Sequence, residues 1–225
     1  MSEQVKNMFA SISDVYDKMN TTLSFGTHHF WRRKTVRASK VKKGMKVLDC
    51  ATGTGDLAHR YKKAVGKRGE VVGTDFVPEM VSLAQKKYKD IYFETADVMH
   101  LPYDDNSFDV SSISFGIRNV DDPVKGLSEM ARVVKPGGKV VVLEFGQPKG
   151  FFGKIYSLYS EKIMPLIGKL VAKDEEAYRY LHETSSTFPC REDFLNMMYK
   201  TEKLSYCTFK PVSFGIAYIY VGTAR

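Results

Sequence analysis

The sequence predicts an α/β fold: a doubly wound, mostly parallel sheet of seven strands, closed by a C-terminal antiparallel hairpin and covered by a helical lid. Two observations carry that expectation. Between residues 41 and 145 short apolar runs alternate with helical stretches, the pattern of parallel strands joined by crossover helices. After residue 200 two strand-like runs follow each other with no helix between them. A chain of 225 residues with 43% hydrophobic and 12% aromatic residues suits a single domain with a substantial core and excludes a disordered or collagen-like polymer.

Residues 1–40 carry no strand pattern and read as the helical lid; 41–146 form the cofactor-binding core of the one domain, 147–200 a helical insertion and 201–225 the edge hairpin. Within the core the first strand is expected at 45–49 and its helix at 55–65. A second strand at 70–75 leads to a helix opening at Pro78-Glu79, where proline is tolerated in the first turn. Strands follow at 91–94 and 108–115, then a helix over 121–134 with Val124, Leu127, Met130 and Val134 on one face. Lys135-Pro136-Gly137-Gly138 should stop that helix before a fifth strand at 139–145. The hairpin strands are expected at 204–209 and 214–221, turning at Lys210-Pro211.

Lysine and arginine number 34 against 26 aspartates and glutamates, a net charge of +8. Such a balance suits an anionic partner, nucleic acid or membrane surface, or simply a solvated basic face. Cys50, Cys190 and Cys207 lie far apart with no CxxC pair, which argues against a disulfide framework, a zinc site or any other resident metal. They read as reduced core thiols of a cytoplasmic protein. No apolar run approaches the roughly 20 residues of a membrane-spanning helix. The opening Met1-Ser2-Glu3-Gln4 has neither signal nor transit character, so the expected location is cytoplasmic, with peripheral contact at the inner face of the membrane.

The central motif is Val47-Leu48-Asp49-Cys50-Ala51-Thr52-Gly53-Thr54-Gly55-Asp56-Leu57-Ala58, a glycine loop between a strand and a helix. Gly53-x-Gly55-x-x-Ala58, with Asp75 about 20 residues on, also fits a dinucleotide fingerprint. Asp49 weighs against it: a carboxylate ahead of the loop suits a cationic amino acid and sulfonium and repels a pyrophosphate. Leu101-Pro102-Tyr103-Asp104-Asp105-Asn106-Ser107-Phe108-Asp109 and Arg132-Val133-Val134-Lys135-Pro136-Gly137-Gly138 closely resemble segments of class I methyltransferases that use S-adenosylmethionine. Ala51 stands where that family's loop usually begins with glycine.

Ser114-Phe115-Gly116-Ile117-Arg118-Asn119-Val120 further resembles the signature of the menaquinone and ubiquinone biosynthesis C-methyltransferases. The same family is matched by Val15-Tyr16-Asp17-Lys18-Met19-Asn20, by Ser24-Phe25-Gly26-Thr27-His28-His29-Phe30-Trp31-Arg32-Arg33, by Tyr178-Arg179-Tyr180-Leu181-His182-Glu183 with Phe188-Pro189, and by Gly215-Ile216-Ala217. Two departures stand out: Cys50-Ala51-Thr52-Gly53 replaces Val-Ala-Cys-Gly, and Phe214-Gly215 replaces a double glycine. The resemblance implies methyl transfer from S-adenosylmethionine to a ring carbon of a prenylated quinol. Either demethylmenaquinol or a methoxy-polyprenyl-benzoquinol qualifies; the absence of a targeting segment favours the first.

That reaction needs help with deprotonating the quinol, stabilising the oxyanion and aligning the carbon with the methyl–sulfur axis. Arg118 is the expected oxyanion stabiliser and water-positioning group, since a guanidinium stays charged. Tyr16 is placed on a quinol oxygen or in lid packing, and Asn119 orients Arg118 or the water, or forms a turn. The resemblance puts Gly53, Thr54 and Gly55 along the methionine moiety with Asp49 nearby, Asp75 on the ribose, Asp97 and Val98 beside the adenine, and Ser114 next to the cofactor. Thr54 is also a candidate helix cap. His28 and His29 titrate near neutrality, but neighbours on a helix diverge, so at most one faces the pocket, and a packing or surface role is favoured.

The stripe Phe151, Phe152, Tyr156, Tyr159, Ile163, Leu166, Ile167 and Leu170 suits core packing, a prenyl channel or, with Lys154, Lys162, Lys169 and Lys173, an anionic membrane surface. An RNA methyltransferase is the alternative suggested by the basic charge, but neither an RNA-binding module nor a basic, aromatic stripe stands out, so no nucleic-acid partner is expected. A non-catalytic cofactor binder and an NAD dehydrogenase rank behind it. A homodimer is compatible with the pattern, though no periodicity specifies an interface.

Overall fold

The computed structural model describes residues 3–163 and 175–225. Ahead of the sheet lie α1 (Glu3–Ser11), a 3-10 turn (Ser13–Val15), α2 (Tyr16–Leu23) and α3 (Thr27–Ala38). The core follows as β1 (Lys46–Cys50), α4 (Asp56–Val65), β2 (Glu70–Asp75), α5 (Pro78–Lys87), β3 (Tyr92–Thr95), β4 (Phe108–Ser114), α6 (Pro123–Arg132) and β5 (Val134–Phe145). Then come α7 (Gly150–Leu158), a π-helical turn (Tyr159–Ile163), α8 (Glu175–Thr187), α9 (Glu192–Tyr199), β6 (Leu204–Val212) and β7 (Ala217–Ala224).

The seven strands run in the order β3-β2-β1-β4-β5-β7-β6. The first five are parallel, and β7 is antiparallel to both β5 and β6. Alternation along the strands feeds two cores. Leu48, Ile113, Val140 and Val142 point to one face with Leu127 and Met130 of α6 and Phe194 of α9. Val47, Val110, Val141 and Leu143 point to the other with Trp31, Leu57, Tyr61 and Val81. The three cysteines are buried free thiols, as expected. Strand order reverses between β1 and β4, so the loops after these two strands part and leave a crevice at their carboxyl ends.

Two boundaries differ from the sequence reading. Lys135-Pro136-Gly137-Gly138 does not separate helix from strand: α6 ends at Arg132, and β5 already begins at Val134. Phe108 pairs with Val134 and Val110 with Lys139, so residues 135–138 bulge opposite Asp109, with Gly137 at φ 81°. Gly138 leaves no choice of residue, since an added Cβ would sit 2.6 Å from the Asp109 carbonyl oxygen. The hairpin likewise does not turn at Lys210-Pro211. Pro211 lies within β6 opposite Tyr218, and the turn is Ser213–Gly215. A missing N–H is tolerated there because β6 is the outer strand. Phe214, expected in a strand, sits in the turn at φ 57°.

Candidate active site

The loop after β1 opens the crevice. Asp49 is 1% exposed, and its carboxylate accepts hydrogen bonds from Ser112 Oγ at 2.7 Å and Thr52 Oγ1 at 2.7 Å. Burial pushes it up to about 6, against those two hydroxyls. The chain then turns through left-handed Ala51 (φ 46°), Gly53 (φ 57°) and Gly55 (φ 85°). Ala51 pays for its Cβ in strain and needs space across the crevice. Gly116 provides that space, since a Cβ there would lie 2.5 Å from that of Ala51. Gly55, not Thr54, caps α4. The Thr54 hydroxyl instead donates to Asp17 Oδ1 of α2 at 2.6 Å.

Asp75 closes β2 and accepts the Gly53 N–H at 2.7 Å and the Val77 N–H at 3.0 Å, which fixes the glycine loop to the neighbouring strand end. Burial raises its carboxyl above the ordinary value. Asp75, Phe76, Asp97, Val98 and Asn119 line one cleft. Asp97 Oδ1 accepts the Met99 N–H at 2.9 Å.

A second, larger cavity of about 410 Å³ lies under α1, α2, α7 and α8. Its walls are mostly apolar, including Met8, Ile12, Met19, Leu23 and Leu181. The two spaces share Phe9, Tyr16, Ala51, Gly53, Ser114 and Phe115, so they meet at the carboxyl ends of β1 and β4. The Ser114 hydroxyl is buried at that junction without a hydrogen-bond partner among the described residues. Arg118, in the turn Ile117–Asn119, lines the large cavity with a side chain 3% exposed. Its Nη1 donates to the Phe115 carbonyl oxygen at 2.6 Å and to Glu144 Oε1 at 2.8 Å.

Tyr16 lines both spaces, and burial raises its hydroxyl above the ordinary value while Asn20, Arg32 and Arg118 oppose the rise. Asn119 closes the 3-10 turn, and its Oδ1 accepts the Tyr180 hydroxyl at 3.1 Å. In a 3-10 turn successive side chains diverge by about 120°, so neighbours there face different spaces. His28 lines the cavity and is 5% exposed, while His29 is exposed, although their rings touch at 3.9 Å. Burial, with Arg32 and His29 adding, lowers His28 to about 4, so it is neutral near pH 7. These histidines converge with Asp56, whose carboxylate is already held by Lys87 at 2.7 Å, Tyr88 at 2.8 Å and Arg32 at 3.3 Å.

The model of the ubiE/COQ5 methyltransferase family matches residues 1–224. The chain belongs to that family. It is 55% identical to the ubiquinone/menaquinone biosynthesis C-methyltransferase UbiE of Bdellovibrio bacteriovorus, over 99% of this chain and 97% of the relative. It is 43% identical to a demethylmenaquinone methyltransferase of Bacillus cereus, over 98% and 95% of the two chains. A crystal structure of a SAM-dependent methyltransferase from Thermotoga maritima shares the fold, with a TM-score of 0.69, 19% identity and coverage of 97% and 99%. The protein is therefore an S-adenosylmethionine-dependent C-methyltransferase with a class I fold.

The crevice of this ubiE/COQ5 methyltransferase fits its cofactor by its own chemistry. It offers a buried carboxylate at Asp49, an unpartnered hydroxyl at Ser114 and two further carboxylates in the cleft. Sequence reasoning missed Glu144, and it named Tyr156 for the insertion stripe and Tyr180 for a family-like segment without setting either beside Arg118. Tyr156 of α7 and Tyr180 of α8 line the same cavity as Tyr16. Glu144 had one signal: it is the only charged residue in the apolar run Val140-Val141-Val142-Leu143-Glu144-Phe145. Of the insertion stripe, Tyr156 and Tyr159 reach the cavity. Leu166, Ile167, Lys169, Leu170 and Lys173, and the side chains of Phe152 and Ile163, lie outside the described residues.

Proposed function

We propose that this methyltransferase carries a methyl group to a ring carbon of a prenylated quinol held in the 410 Å³ cavity beside Arg118. One observation carries the reading: a buried guanidinium opens into a largely apolar cavity that meets the cofactor crevice at Ser114 and Gly53. A phenolic ring with a greasy tail matches a pocket with aliphatic and aromatic walls and two arginines, of which Arg32 is paired with Asp56. S-adenosylmethionine supplies an electrophilic methyl group on a positively charged sulfur.

Gly53, Thr54 and Gly55, with Asp49 and Ser114, hold the methionine end in this reading. Asp75 keeps one lone pair on each oxygen for ribose hydroxyls after accepting its two backbone bonds. Asp97 and Val98 flank the adenine. Arg118 faces the ring oxygen and stabilises its negative charge, and Tyr16 reaches the same oxygen from α2. Asn119 acts as an anchor for Tyr180 of α8.

Phe25, Phe151 and Phe214 are 79%, 81% and 83% exposed. Phe25 lines the cavity, Phe214 sits between the lining residues Ser213 and Ile216, and Phe151 opens the helix that carries Tyr156. With Lys149 and Lys154 nearby in sequence, these rings support docking of the cavity mouth on an anionic membrane surface, where prenylated quinols reside. The test is a mass-spectrometric assay with labelled S-adenosylmethionine and prenylated demethylmenaquinol or benzoquinol under reducing conditions, with and without anionic vesicles. Label on a ring carbon, with a lower KM when vesicles are present, is expected. Cofactor binding without transfer to either quinol would overturn the substrate reading.

A further inference from the structure

Arg118 by itself does not explain how a quinol loses its proton. A guanidinium near neutral pH is fully protonated and has no lone pair to offer. A carboxylate stands directly behind it. Glu144, near the end of β5, is 1% exposed, and its Oε1 accepts from Arg118 Nη1 at 2.8 Å and from the Phe145 N–H at 2.9 Å. Its Oε2 is buried with no hydrogen-bond partner among the described residues, and so is Arg118 Nε. A buried ion pair with an unsatisfied atom on each side is a poor source of stability, since apolar residues of similar volume often serve as well or better. Its presence beside the cavity points to chemistry.

We infer that Glu144 is the terminal acceptor of the quinol proton, reached through Arg118. The inference rests on the reading that Arg118 faces the quinol oxygen. The O–H bond of the ring hydroxyl breaks and its electron pair stays on oxygen. In one concerted movement the Nη1 proton passes to Glu144 Oε1 and the quinol proton takes its place on Nη1, on the lone pair that the departing proton frees. Arg118 ends as a cation facing a phenolate, and Glu144 ends neutral. The oxygen's charge makes the ring carbon nucleophilic toward the methyl group. After transfer the ring carbon's own hydrogen leaves to solvent as the one net proton, restoring aromaticity, and the proton held by Glu144 returns through Arg118 to the ring oxygen, leaving a neutral quinol product and an ionised Glu144.

Glu144 does not line the cavity, so it acts through Arg118 as a positioning residue and proton sink. Among the described residues, the titratable groups on other elements that feel this pair are phenols. Tyr16 of α2, Tyr156 of α7 and Tyr180 of α8 feel the charge of Arg118, and Tyr220 of β7 feels that of Glu144. Burial raises all four above the ordinary phenol value, so none competes for the proton near pH 7.

The test compares the wild-type protein with Glu144→Gln, Glu144→Asp and Arg118→Lys, each checked for S-adenosylmethionine affinity by calorimetry. Glu144→Gln is expected to lose on the order of 100-fold in kcat, the usual share of a positioned proton acceptor, with cofactor affinity kept. The acid limb of the kcat–pH profile should vanish in Glu144→Gln and persist in Glu144→Asp. A readout independent of turnover is the infrared difference spectrum on binding a nitrophenol analogue, offered as the neutral phenol below its own pKa and ionised in the site, with S-adenosylhomocysteine present. A protonated-carboxyl band should appear in the wild type and be missing in Glu144→Gln. Near-normal kcat in Glu144→Gln overturns the relay, as does a wild-type phenolate complex without that band. An active Arg118→Lys would instead sink the reading of Arg118 on which the relay depends. Should Glu144→Gln fail to bind cofactor, Glu144→Asp decides: losing the acid limb with affinity intact overturns the proposal.

Discussion

The cofactor side and the acceptor side of the crevice are built in different ways. On the cofactor side the chain's own backbone does most of the work: Asp75 is satisfied by two N–H groups, and Asp49 by hydroxyls on the next strand and the adjoining loop. On the acceptor side, side chains from α1, α2, α7, α8 and the turn after β4 converge on a space that no single segment defines. The first arrangement is local and rigid, the second assembled and dependent on charge. Chemistry is thus expected to be more sensitive to substitutions on the second side, and cofactor affinity to those on the first.

The sharpest division comes from Arg118→Lys. It keeps a cation near Glu144 and so avoids stranding a buried carboxylate, which Arg118→Ala would do at about 3–5 kcal/mol. The fork that spans Glu144 and the ring oxygen is lost, and kcat should fall on the order of 1,000-fold while calorimetry shows undiminished S-adenosylmethionine binding. Equal losses in kcat and cofactor affinity would erase the contrast between the two sides.

Asp75→Ala probes the opposite side. It leaves the Gly53 and Val77 N–H groups without their acceptor, at about 1–3 kcal/mol for each group that stays buried. The glycine loop loses its tether, so thermal stability should drop and calorimetric affinity for the cofactor should weaken strongly. An unchanged affinity would move the ribose contact elsewhere.

This contrast also governs what could be read from the chain alone. The parallel core, the glycine loop and Asp49, Asp75 and Asp97 were legible because each follows from a strand end and its loop, within a dozen residues. Pro136 and Pro211 misled because proline was taken as a boundary marker. A bulge and an outer strand both absorb it, and neither shows in a local pattern. Glu144 was passed over because its partner Arg118 is 26 residues away and only the β4–β5 pairing brings the two strand ends together. Of the readings open for Asn119, the turn is the one visible in the fold, while its bond to Tyr180 joins residues 61 apart and shows in no local pattern.

Acid sensitivity separates the sides by sign. Folded Asp49 titrates near 6 against an ordinary value of 3.8, because burial disfavours its charge. Between about pH 6 and 4 the folded state therefore holds a proton that the unfolded chain lacks, so the stability penalty of this group eases as pH falls through that window. His28 runs the other way: lowered to about 4 from 6.5, it withdraws stability as pH falls from about 6.5 to 4. Between these two groups cofactor binding follows Asp49, since a neutral carboxyl no longer attracts a sulfonium and an ammonium, whereas Asp75, also raised by burial, meets the uncharged ribose. From about pH 7 to 5 the calorimetric affinity for S-adenosylmethionine should fall on the order of tenfold. Asp49→Asn should start weaker and stay flat; parallel slopes would assign the titration to another group.

The smallest expected effect tests whether the two sides are coupled. Asp17 of α2 accepts from Thr54 Oγ1 at 2.6 Å and from Lys87 Nζ at 2.5 Å, tying the helix that carries Tyr16 to the glycine loop and to α5. Both charged partners are more than a third exposed, so the ion pair adds at most about 1 kcal/mol and the Thr54 bond about as much again. Asp17→Ala should thus raise KM for quinol and weaken the cofactor together, each several-fold, with kcat at saturation preserved. Tight coupling of that kind makes α2 a common wall of both spaces. A change confined to one ligand would instead leave the cofactor crevice and the acceptor cavity as independent sites that happen to share a boundary.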